Sequence, residues 1–187
     1  MSARFDILAT PIAGLRILRR RPLGDSRGYL ERLFCADDLT DLLAGRRIEQ
    51  INRTFTASRG TVRGMHFQHP PYAETKFVHC LRGEVFDVAV DLRRDSPSFL
   101  HWHAEVLAGT EPKTFVIPEG FAHGFQTLTD DCEMLYFHTA AYRQDAEAGL
   151  HPQDPRLQVA WPLPVAGLSP RDAGHPLIDA GFRGFGS

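Results

Sequence analysis

Two short apolar stretches separated by an Arg-Gly turn constrain the fold of this chain more than any other feature. Residues 76–93 read KFVHCLRGEVFDVAVDLR, and the turn divides them into two candidate strands. In the second strand apolar side chains recur at alternate positions from Phe86 to Leu92, whereas Asp87 and Asp91 lie at positions between them. Because successive side chains of a strand point to opposite faces, the pattern predicts a barrel strand with one packed face and one face towards a partly polar lumen.

Most of the remaining chain is typical of further short strands. They are separated by Gly, Pro and acidic turns and read TVRGMHFQ, FLHWHAEVL, KTFVIP, HGFQTL and EMLYFHTAAY. One early segment, 37–44 (DDLTDLLA), has its leucines on one helical face and a stop at Gly45. We therefore predict a mostly β fold, an antiparallel barrel or jelly roll with one short early helix, around which the Gly/Pro-rich residues 167–187 wrap.

Length and charge indicate one domain and no large charged partner. The 187 residues are predicted to form a single domain, 1–187, with one substantial core. Lysine and arginine number 21 against 23 acidic residues, so the net charge is -2. The net charge therefore gives no overall electrostatic attraction for nucleic acid or an anionic membrane, and an anionic ligand must be held by locally placed arginines.

Cysteine usage and hydropathy predict a cytoplasmic protein. The three cysteines are scattered, without the C-x-x-C spacing of a zinc site, and their odd number argues against a disulfide framework. The first 24 residues lack the apolar segment of roughly 7–15 residues found in signal peptides. No stretch approaches the roughly 20 apolar residues of a membrane span.

The strand TVRGMHFQ (61–68) is the first candidate site. Strict alternation places His66 on the face of Gly64 and Gln68, and Arg63 on the opposite face. A lone strand histidine is more often a hydrogen-bonded structural residue than a catalyst. A glycine beside polar residues in a strand, however, often marks the close approach of a ligand or of another backbone.

A second candidate is PEGFAHGF (118–125), which has the P-x-G-x-x-H form seen in metal-binding cupins. Such proteins also need a His-x-His and a glutamate that converge with this histidine. The only His-x-His, at 101–103, is followed too closely by Glu105 and lies too near Pro118. We therefore predict no metal, and we expect His123 to contact an organic ligand.

Three further residues have an ordinary explanation when each is taken alone. Lys76 resembles a solvated strand end, although an ammonium beside a carbonyl oxygen would stabilise an enolate. Tyr136 resembles a core aromatic with a bonded hydroxyl, and Asp172 a turn residue.

Taken together, eleven pieces in order show that the chain resembles the dTDP-4-dehydrorhamnose 3,5-epimerase family over about three-quarters of its length. They are DSRG (25–28), QIN (50–52), RGMHFQ (63–68), TK (75–76), GEVFDVAVDLR (83–93), SPSF (96–99), IPEGFAHGF (117–125), LYFHTAAY (135–142), DP (154–155), WP (161–162) and LSPRD (168–172). The resemblance implies a homodimer of cupin-type jelly-roll barrels that bind a nucleotide-diphosphate 4-keto sugar.

The resemblance also implies roles for individual residues. His66 matches the general base, Asp172 the carboxylate that orients it, and Tyr136 the proton donor on the opposite face of the sugar. Lys76 matches the residue that stabilises the enolate oxygen at C4. Further matches hold the diphosphate, nucleoside and sugar or contact the ligand peripherally: Arg27, Gln50, Asn52, Arg63, His123, Tyr142, Glu147 and Arg171.

These roles form a complete reaction without metal or nicotinamide. C3 and C5 both flank the C4 ketone, so inversion begins with removal of a proton from the carbon beside a carbonyl. A histidine with an ordinary pKa of about 6.5 is a weak base for that proton, so the enolate must be stabilised in the transition state. A second acid on the other face then completes the inversion.

Three departures from the family pattern concern the substrate more than the reaction. Arg32 lies where the family usually has a glutamate, with Glu31 one residue earlier. The stretch RTFTAS after Asn52 lacks the usual Ser-rich run, and HPQDP (151–155) replaces the more common aromatic residue or Asn before Asp-Pro. An epimerase of C3 or C5 alone, an enzyme for another nucleotide sugar, and a non-catalytic sugar-binding cupin therefore stay open. So does a structural question: alternation separates Arg63 from His66, unless the strand is bulged at Gly64 or Arg63 reaches the ligand from the rim or across a dimer interface.

Overall fold

A computed structural model describes residues 4–185, which form mainly antiparallel strands. The strands are β1 Phe5–Ala9, β2 Arg16–Arg20, β3 Leu23–Asp25, β4 Gly28–Leu30, β5 Gln50–Thr56, β6 Val62–Gln68, β7 Lys76–Arg82, β8 Glu84–Asp91, β9 Trp102–Ala108, β10 Lys113–Ile117, β11 Phe121–Thr127, β12 Cys132–His138 and β13 Glu147–Gly149. The helices are α1 Thr40–Leu43 and α2 Pro170–Ala173. Neither helix is long or apolar enough to cross a membrane.

The strands form the two facing sheets of a jelly roll, which confirms the predicted fold class. One sheet has the order β1-β2-β10-β7-β12-β5 and the other the order β13-β6-β11-β8-β9. Strands β3 and β4 form a separate hairpin. The predicted turn between residues 82 and 84 joins β7 to β8 as expected. That residues 1–187 form one domain stays a prediction, and residues 1–3, 186 and 187 lie outside the described part.

The space between the sheets is more apolar than the predicted lumen. Val78 and Phe115 from one sheet meet Val85, Ala89 and Phe125 from the other in a buried core. The alternate apolar residues from Phe86 on β8 to Leu92, just after the strand, pack on the outer side of the sheet instead. Of the two acidic residues on the alternate positions, Asp87 is fully buried beside His123.

Both predicted covering segments are present, with differences in length and structure. The early helix spans Thr40–Leu43 rather than 37–44, because residues 36–39 form turns before it. Leu39 and Leu43 pack over the outer face of the six-stranded sheet. The C-terminal segment covers the outer face of the five-stranded sheet through residues such as Ile178. It also contains α2, which the sequence reading did not predict.

A bulge in β6 brings Arg63 and His66 to the same face. β6 pairs with β11 through His66 opposite His123 and through Arg63 opposite Phe125, so β6 has one residue more than β11 between these pairs. The extra residue reverses the alternation. The bulge that the sequence analysis left as one possibility at Gly64 is therefore present.

Two glycines make this bulge possible. A Cβ on Gly64, whose φ is +130°, would lie 2.5 Å from the Cα of Gly124. A Cβ on Gly124 would lie 2.5 Å from the sulfur of Met65. The backbones of β6 and β11 can therefore approach this closely only without side chains at both positions.

Replacing Gly64 with alanine tests this contact. Gly28 is the matched control, because its φ of +132° is nearly the same as that of Gly64 but a Cβ there meets nothing within 4 Å. We expect Gly64→Ala to lower the free energy of unfolding by about 1–3 kcal/mol more than Gly28→Ala does. Urea unfolding measures both losses, and equal losses would show that backbone conformation alone matters.

Candidate functional site

A cavity of ≈ 500 Å³ lies between the two sheets and opens to solvent. It is lined by strands of both sheets and by α2. Of the twelve residues that the sequence analysis named, eleven line this cavity: Gln50, Asn52, Arg63, His66, Lys76, His123, Tyr136, Tyr142, Glu147, Arg171 and Asp172. The fold thus brings together residues that are up to 122 positions apart (172 − 50).

His66 and Asp172 form a hydrogen-bonded pair on the wall of the five-stranded sheet. His66 Nε2 lies 2.7 Å from Asp172 Oδ1. Ser169 caps α2 by accepting a hydrogen bond of 3.0 Å from the backbone N–H of Asp172, which fixes the carboxylate. Burial raises the pKa of Asp172, but the hydrogen bond and charge of His66 outweigh it and hold that pKa below its usual range. Since an ionised carboxylate only accepts, Nε2 carries the proton and Nδ1 keeps the basic lone pair.

Lys76 lies on the opposite wall, at the start of β7. Its Nζ is 3.3 Å from Glu74 Oε1 and 3.5 Å from the carbonyl oxygen of His66. Burial raises the pKa of Glu74, but His138 and Lys76 together hold it below its usual range. Glu74 also accepts a hydrogen bond of 2.7 Å from Gln68 Nε2.

The sequence reading missed Glu74 and His138, although both line the cavity. His138 had a detectable signal, because it lies two residues after Tyr136 on one strand and so shares its face. Its Nδ1 lies 3.7 Å from Glu74 Oε1. Glu74 precedes β7, so strand alternation does not indicate the direction in which its side chain points.

Tyr136 and His123 lie deep in the cavity, with ring centroids 6.0 Å apart. The Tyr136 hydroxyl is 3.5 Å from Thr54 Oγ1, and burial raises the tyrosine's pKa well above its usual value. The Tyr136 hydroxyl therefore stays protonated at ordinary pH. His123 Nε2 is 2.9 Å from Asp87 Oδ1, while burial lowers the pKa of His123 and raises that of Asp87.

The mouth of the cavity carries groups suited to a nucleotide. Glu147 accepts hydrogen bonds from the Tyr142 hydroxyl at 2.8 Å and from both terminal nitrogens of Arg171, at 2.7 and 2.9 Å. Gln50 Oε1 accepts from the backbone N–H of Tyr142 at 2.9 Å. Tyr142 is 49% exposed, so its ring can stack on a base.

Arg63 differs from the other basic residues of the cavity. Lys76, Arg171, His66, His123 and His138 each face a carboxylate within 4.0 Å. Arg63 instead donates to Thr56 Oγ1 at 3.0 Å and to the Phe55 carbonyl at 3.3 Å. Within residues 4–185 it has no carboxylate partner, so its charge is the one most available to an anionic ligand.

One cluster could hold a metal ion: donor atoms of His66, Asp172 and His175 all lie within 4.8 Å of one another. The His-x-His of the sequence does not join it. His103 instead lies 3.0 Å from Glu105 on β9, and His101 is exposed.

Arg27, the twelfth named residue, does not reach the cavity of its own chain. It lies in the turn of the β3–β4 hairpin, where it pairs with Asp25 and 87% of its side chain is exposed. Glu31 and Arg32, where the chain departs from the family pattern, lie just after this hairpin. Glu31 pairs with the buried Arg20 at 2.8 Å, and Arg32 pairs with Asp38 at 3.4 Å.

Comparisons with known proteins agree on one family. The family model described as dTDP-4-dehydrorhamnose 3,5-epimerase matches residues 9–180. A protein of that name from Sinorhizobium fredii is 39% identical over 168 residues, which cover 89% of this chain and 86% of the relative. A dTDP-4-dehydrorhamnose 3-epimerase from Streptomyces niveus is 36% identical, with 88% of each chain covered.

A solved structure shows the same fold. The dTDP-6-deoxy-D-glucose-3,5-epimerase from Legionella pneumophila, in complex with dTDP-4-keto-L-rhamnose, superposes with a TM-score of 0.88. It is 38% identical, and the match covers 96% of this chain and 97% of that one.

The jelly roll, with a histidine–carboxylate pair facing a lysine and a tyrosine, defines a cupin-type sugar epimerase, an isomerase by reaction class. Within that class, the chain belongs to the dTDP-4-dehydrorhamnose 3,5-epimerase family.

The His66–Asp172 pair predicts a pH-dependent contribution to stability. The pKa of Asp172 in the folded chain lies below its ordinary value of 3.8, so the stabilisation is present above that value and is lost as pH falls through the folded pKa. Between pH 6 and pH 3 the wild type should therefore lose more free energy of unfolding than Asp172→Asn. Urea unfolding at each pH measures this, with the exposed Asp145 changed to Asn as control. Parallel curves for wild type and Asp172→Asn would contradict the prediction.

Proposed function

We propose that this chain epimerises C3 and C5 of dTDP-4-dehydro-6-deoxy-D-glucose to give dTDP-4-dehydro-L-rhamnose, without a cofactor. Relatives named dTDP-4-dehydrorhamnose 3,5-epimerase support this choice of substrate, as does a solved relative with dTDP-4-keto-L-rhamnose bound. The observation that carries the proposal is the position of the acid and the base. His66 lies on β6 in one sheet and Tyr136 on β12 in the other, so the two groups face each other across the cavity.

His66 is the general base in this proposal. Its Nδ1 takes the proton from the carbon beside the ketone, and the electrons of that bond move to the C4 oxygen as an enolate. Asp172 stabilises the imidazolium that forms and prevents the ring from turning away, as a carboxylate partner does for other catalytic histidines.

Lys76 and Tyr136 complete the inversion from the opposite wall. The ammonium of Lys76 stabilises the negative oxygen of the enolate, where charge develops in the transition state. Tyr136 then gives its proton to the other face of the same carbon. The raised pKa of Tyr136 keeps the hydroxyl protonated until the enolate forms. Solvent later returns a proton to the tyrosinate and takes the abstracted proton from the His66 imidazolium.

The remaining cavity residues hold the nucleotide sugar. We assign the diphosphate to Arg63, whose guanidinium lacks a carboxylate partner within residues 4–185, and peripheral contacts to Arg171 and Glu147. Tyr142 stacks on the base beside Gln50. Two further residues have support from their place on the cavity wall: Asn52 for the nucleoside and His123 for the sugar.

We also propose a homodimer in which Arg27 enters the cavity of the partner. The hairpin that carries Arg27 pairs with neither main sheet and exposes 73% of Tyr29 and 64% of Leu30. The edge strand β5 likewise exposes 59% of Ile51. Apolar surface of this kind favours association. Sedimentation equilibrium should give twice the chain mass, and a monomer mass would refute the dimer.

The cytoplasm is the proposed location, since Cys35, Cys80 and Cys132 are free thiols of the kind that reducing compartments maintain. Fractionation of the source cells would test it.

An epimerase of C3 alone is the second candidate, because the relative from Streptomyces niveus is named a 3-epimerase. Proton NMR in deuterated buffer separates the two. Deuterium at both carbons of the 4-keto sugar supports the first proposal, at C3 alone the second, and at neither a sugar-binding protein without activity. A parallel reaction with a chelator tests for a metal, because exchange that is seen only without the chelator would indicate a metal-dependent reaction.

His66→Ala should lower the rate of deuterium incorporation by about 10²–10⁴-fold at each exchanging carbon, because no other base is assigned to that face of the sugar. Binding of dTDP, measured by calorimetry, should remain largely intact. His69→Ala is the control, since His69 is exposed and outside the cavity. Unchanged exchange in His66→Ala would refute the assignment.

Lys76→Ala should lower kcat far more than it raises KM, because the enolate oxygen is charged only in the transition state. Steady-state kinetics on the same substrate decide this. An effect confined to KM would make Lys76 a binding residue.

A further inference from the structure

His175 carries an unexplained buried nitrogen beside the proposed base. Its Nε2 is buried and has no hydrogen-bond partner among the described residues. Buried polar atoms of this kind need an explanation, because leaving them unpaired costs free energy. The ring occupies space that only a glycine leaves, since a Cβ on Gly149 would lie 2.3 Å from Nε2 of His175.

Both imidazoles are directed at one carboxylate oxygen. Asp172 Oδ1 lies 2.7 Å from Nε2 of His66 and 3.8 Å from Nε2 of His175. The two rings stand edge to face, with centroids 5.6 Å apart. The three donor atoms therefore surround a common point, all within 4.8 Å of one another.

This donor set has the chemistry of a zinc site. Two imidazole nitrogens and one carboxylate oxygen are ligands that Zn²⁺ accepts, and three protein ligands leave a fourth position for water. Zn–N and Zn–O bonds of about 2.0–2.2 Å need donors roughly 3.3–3.5 Å apart in a tetrahedron. The distances of Asp172 Oδ1 from the two imidazole nitrogens, 2.7 and 3.8 Å, lie below and above that range, so small side-chain rotations suffice.

The supporting residues already hold two of the three ligands. Asp172 is fixed by the cap from Ser169, and His66 lies within β6, where it pairs with Gly149 on one side and His123 on the other. The charge of Arg171, the nearest arginine in sequence, is compensated by Glu147 at 2.7 Å. A dication at the cluster therefore does not meet an unpaired cation from that side.

We propose that His66, Asp172 and His175 form an inhibitory site for a divalent transition metal of the Zn²⁺ type. The inference rests on the proposed function for its effect on catalysis, but metal binding itself does not depend on it. Bound Zn²⁺ takes the lone pair of His66 Nε2, so the single proton of the neutral ring moves from Nε2 to Nδ1. Nδ1 is the nitrogen assigned to the sugar proton, and once protonated it cannot accept one.

Inhibition by this route has a distinctive kinetic form. The metal lies behind the imidazole, beside Asp172 and His175. It prevents His66 from accepting a proton but does not occupy the position of the sugar. Zn²⁺ should therefore lower kcat with little change in KM. The inhibitory metal is separate from catalysis, which is assigned to side chains alone, so a chelator should reverse the inhibition.

Direct binding is the first test. The full-length protein is titrated with Co²⁺, followed by visible absorption, and with Zn²⁺, followed by calorimetry. We expect one Zn²⁺ per chain, and a Co²⁺ spectrum that Zn²⁺ abolishes. Mg²⁺, which prefers oxygen ligands, should leave the Co²⁺ spectrum unchanged.

A matched pair of variants locates the site. His175→Gln should weaken Zn²⁺ binding by about 10–100-fold or more and raise the Zn²⁺ concentration for half-inhibition to the same extent. His151→Gln, which removes another histidine of the C-terminal region, should change neither. Thermal unfolding of each variant without metal checks that both are folded, and inhibition is expressed relative to each variant's own metal-free rate.

The possible outcomes separate this inference from the proposed function. Failure to bind Zn²⁺ at one site per chain, or equal binding by His175→Gln, would overturn the inference while leaving the epimerase assignment intact. Competitive inhibition against the sugar nucleotide would also overturn it, because the metal would then lie in the substrate position. If the wild type binds Zn²⁺ through His175 but exchanges no sugar proton, the metal site stands and the proposed function falls.

Discussion

The contact between Gly64 and Gly124 is the constraint on which the site depends. It lets β6 and β11 approach so closely that one additional residue of β6 fits between two paired positions. The alternation of side chains is reversed across this bulge, so Arg63 and His66 face the same cavity. Without it, the cation assigned to the diphosphate and the base assigned to the sugar would lie on opposite faces of the sheet.

The two-sheet architecture then meets the requirement of an inversion. A carbon can be inverted only if its proton leaves on one side and another arrives on the other. A jelly roll provides two facing walls, with His66 on one and both Lys76 and Tyr136 on the other. Most basic residues of the cavity lie beside carboxylates, which limits the electrostatic cost of placing them together and leaves Arg63 as the available charge.

The metal site that we propose would give the cluster around Asp172 two states. The carboxylate accepts a hydrogen bond from Nε2 of His66, and the His175 nitrogen next to it is without a partner among the described residues. A proton and a metal ion compete for the same lone pair in such sites. In that proposal His66 acts as a base when a proton occupies Nε2, and as a ligand when a metal ion does.

By itself the sequence determined the seven strands from β6 to β12, because alternation of period two is a local property, as in β7 and β8. It did not indicate β1 to β5 or β13. Order and spacing of short motifs also indicated most of the cavity residues. Tertiary structure alone decided the bulge at Gly64, the short helix of Asp172, the place of Glu74 and the distance of Arg27 from its own cavity. These depend on contacts between segments far apart in the chain, such as the one that brings His175 to Gly149, and no local pattern records them.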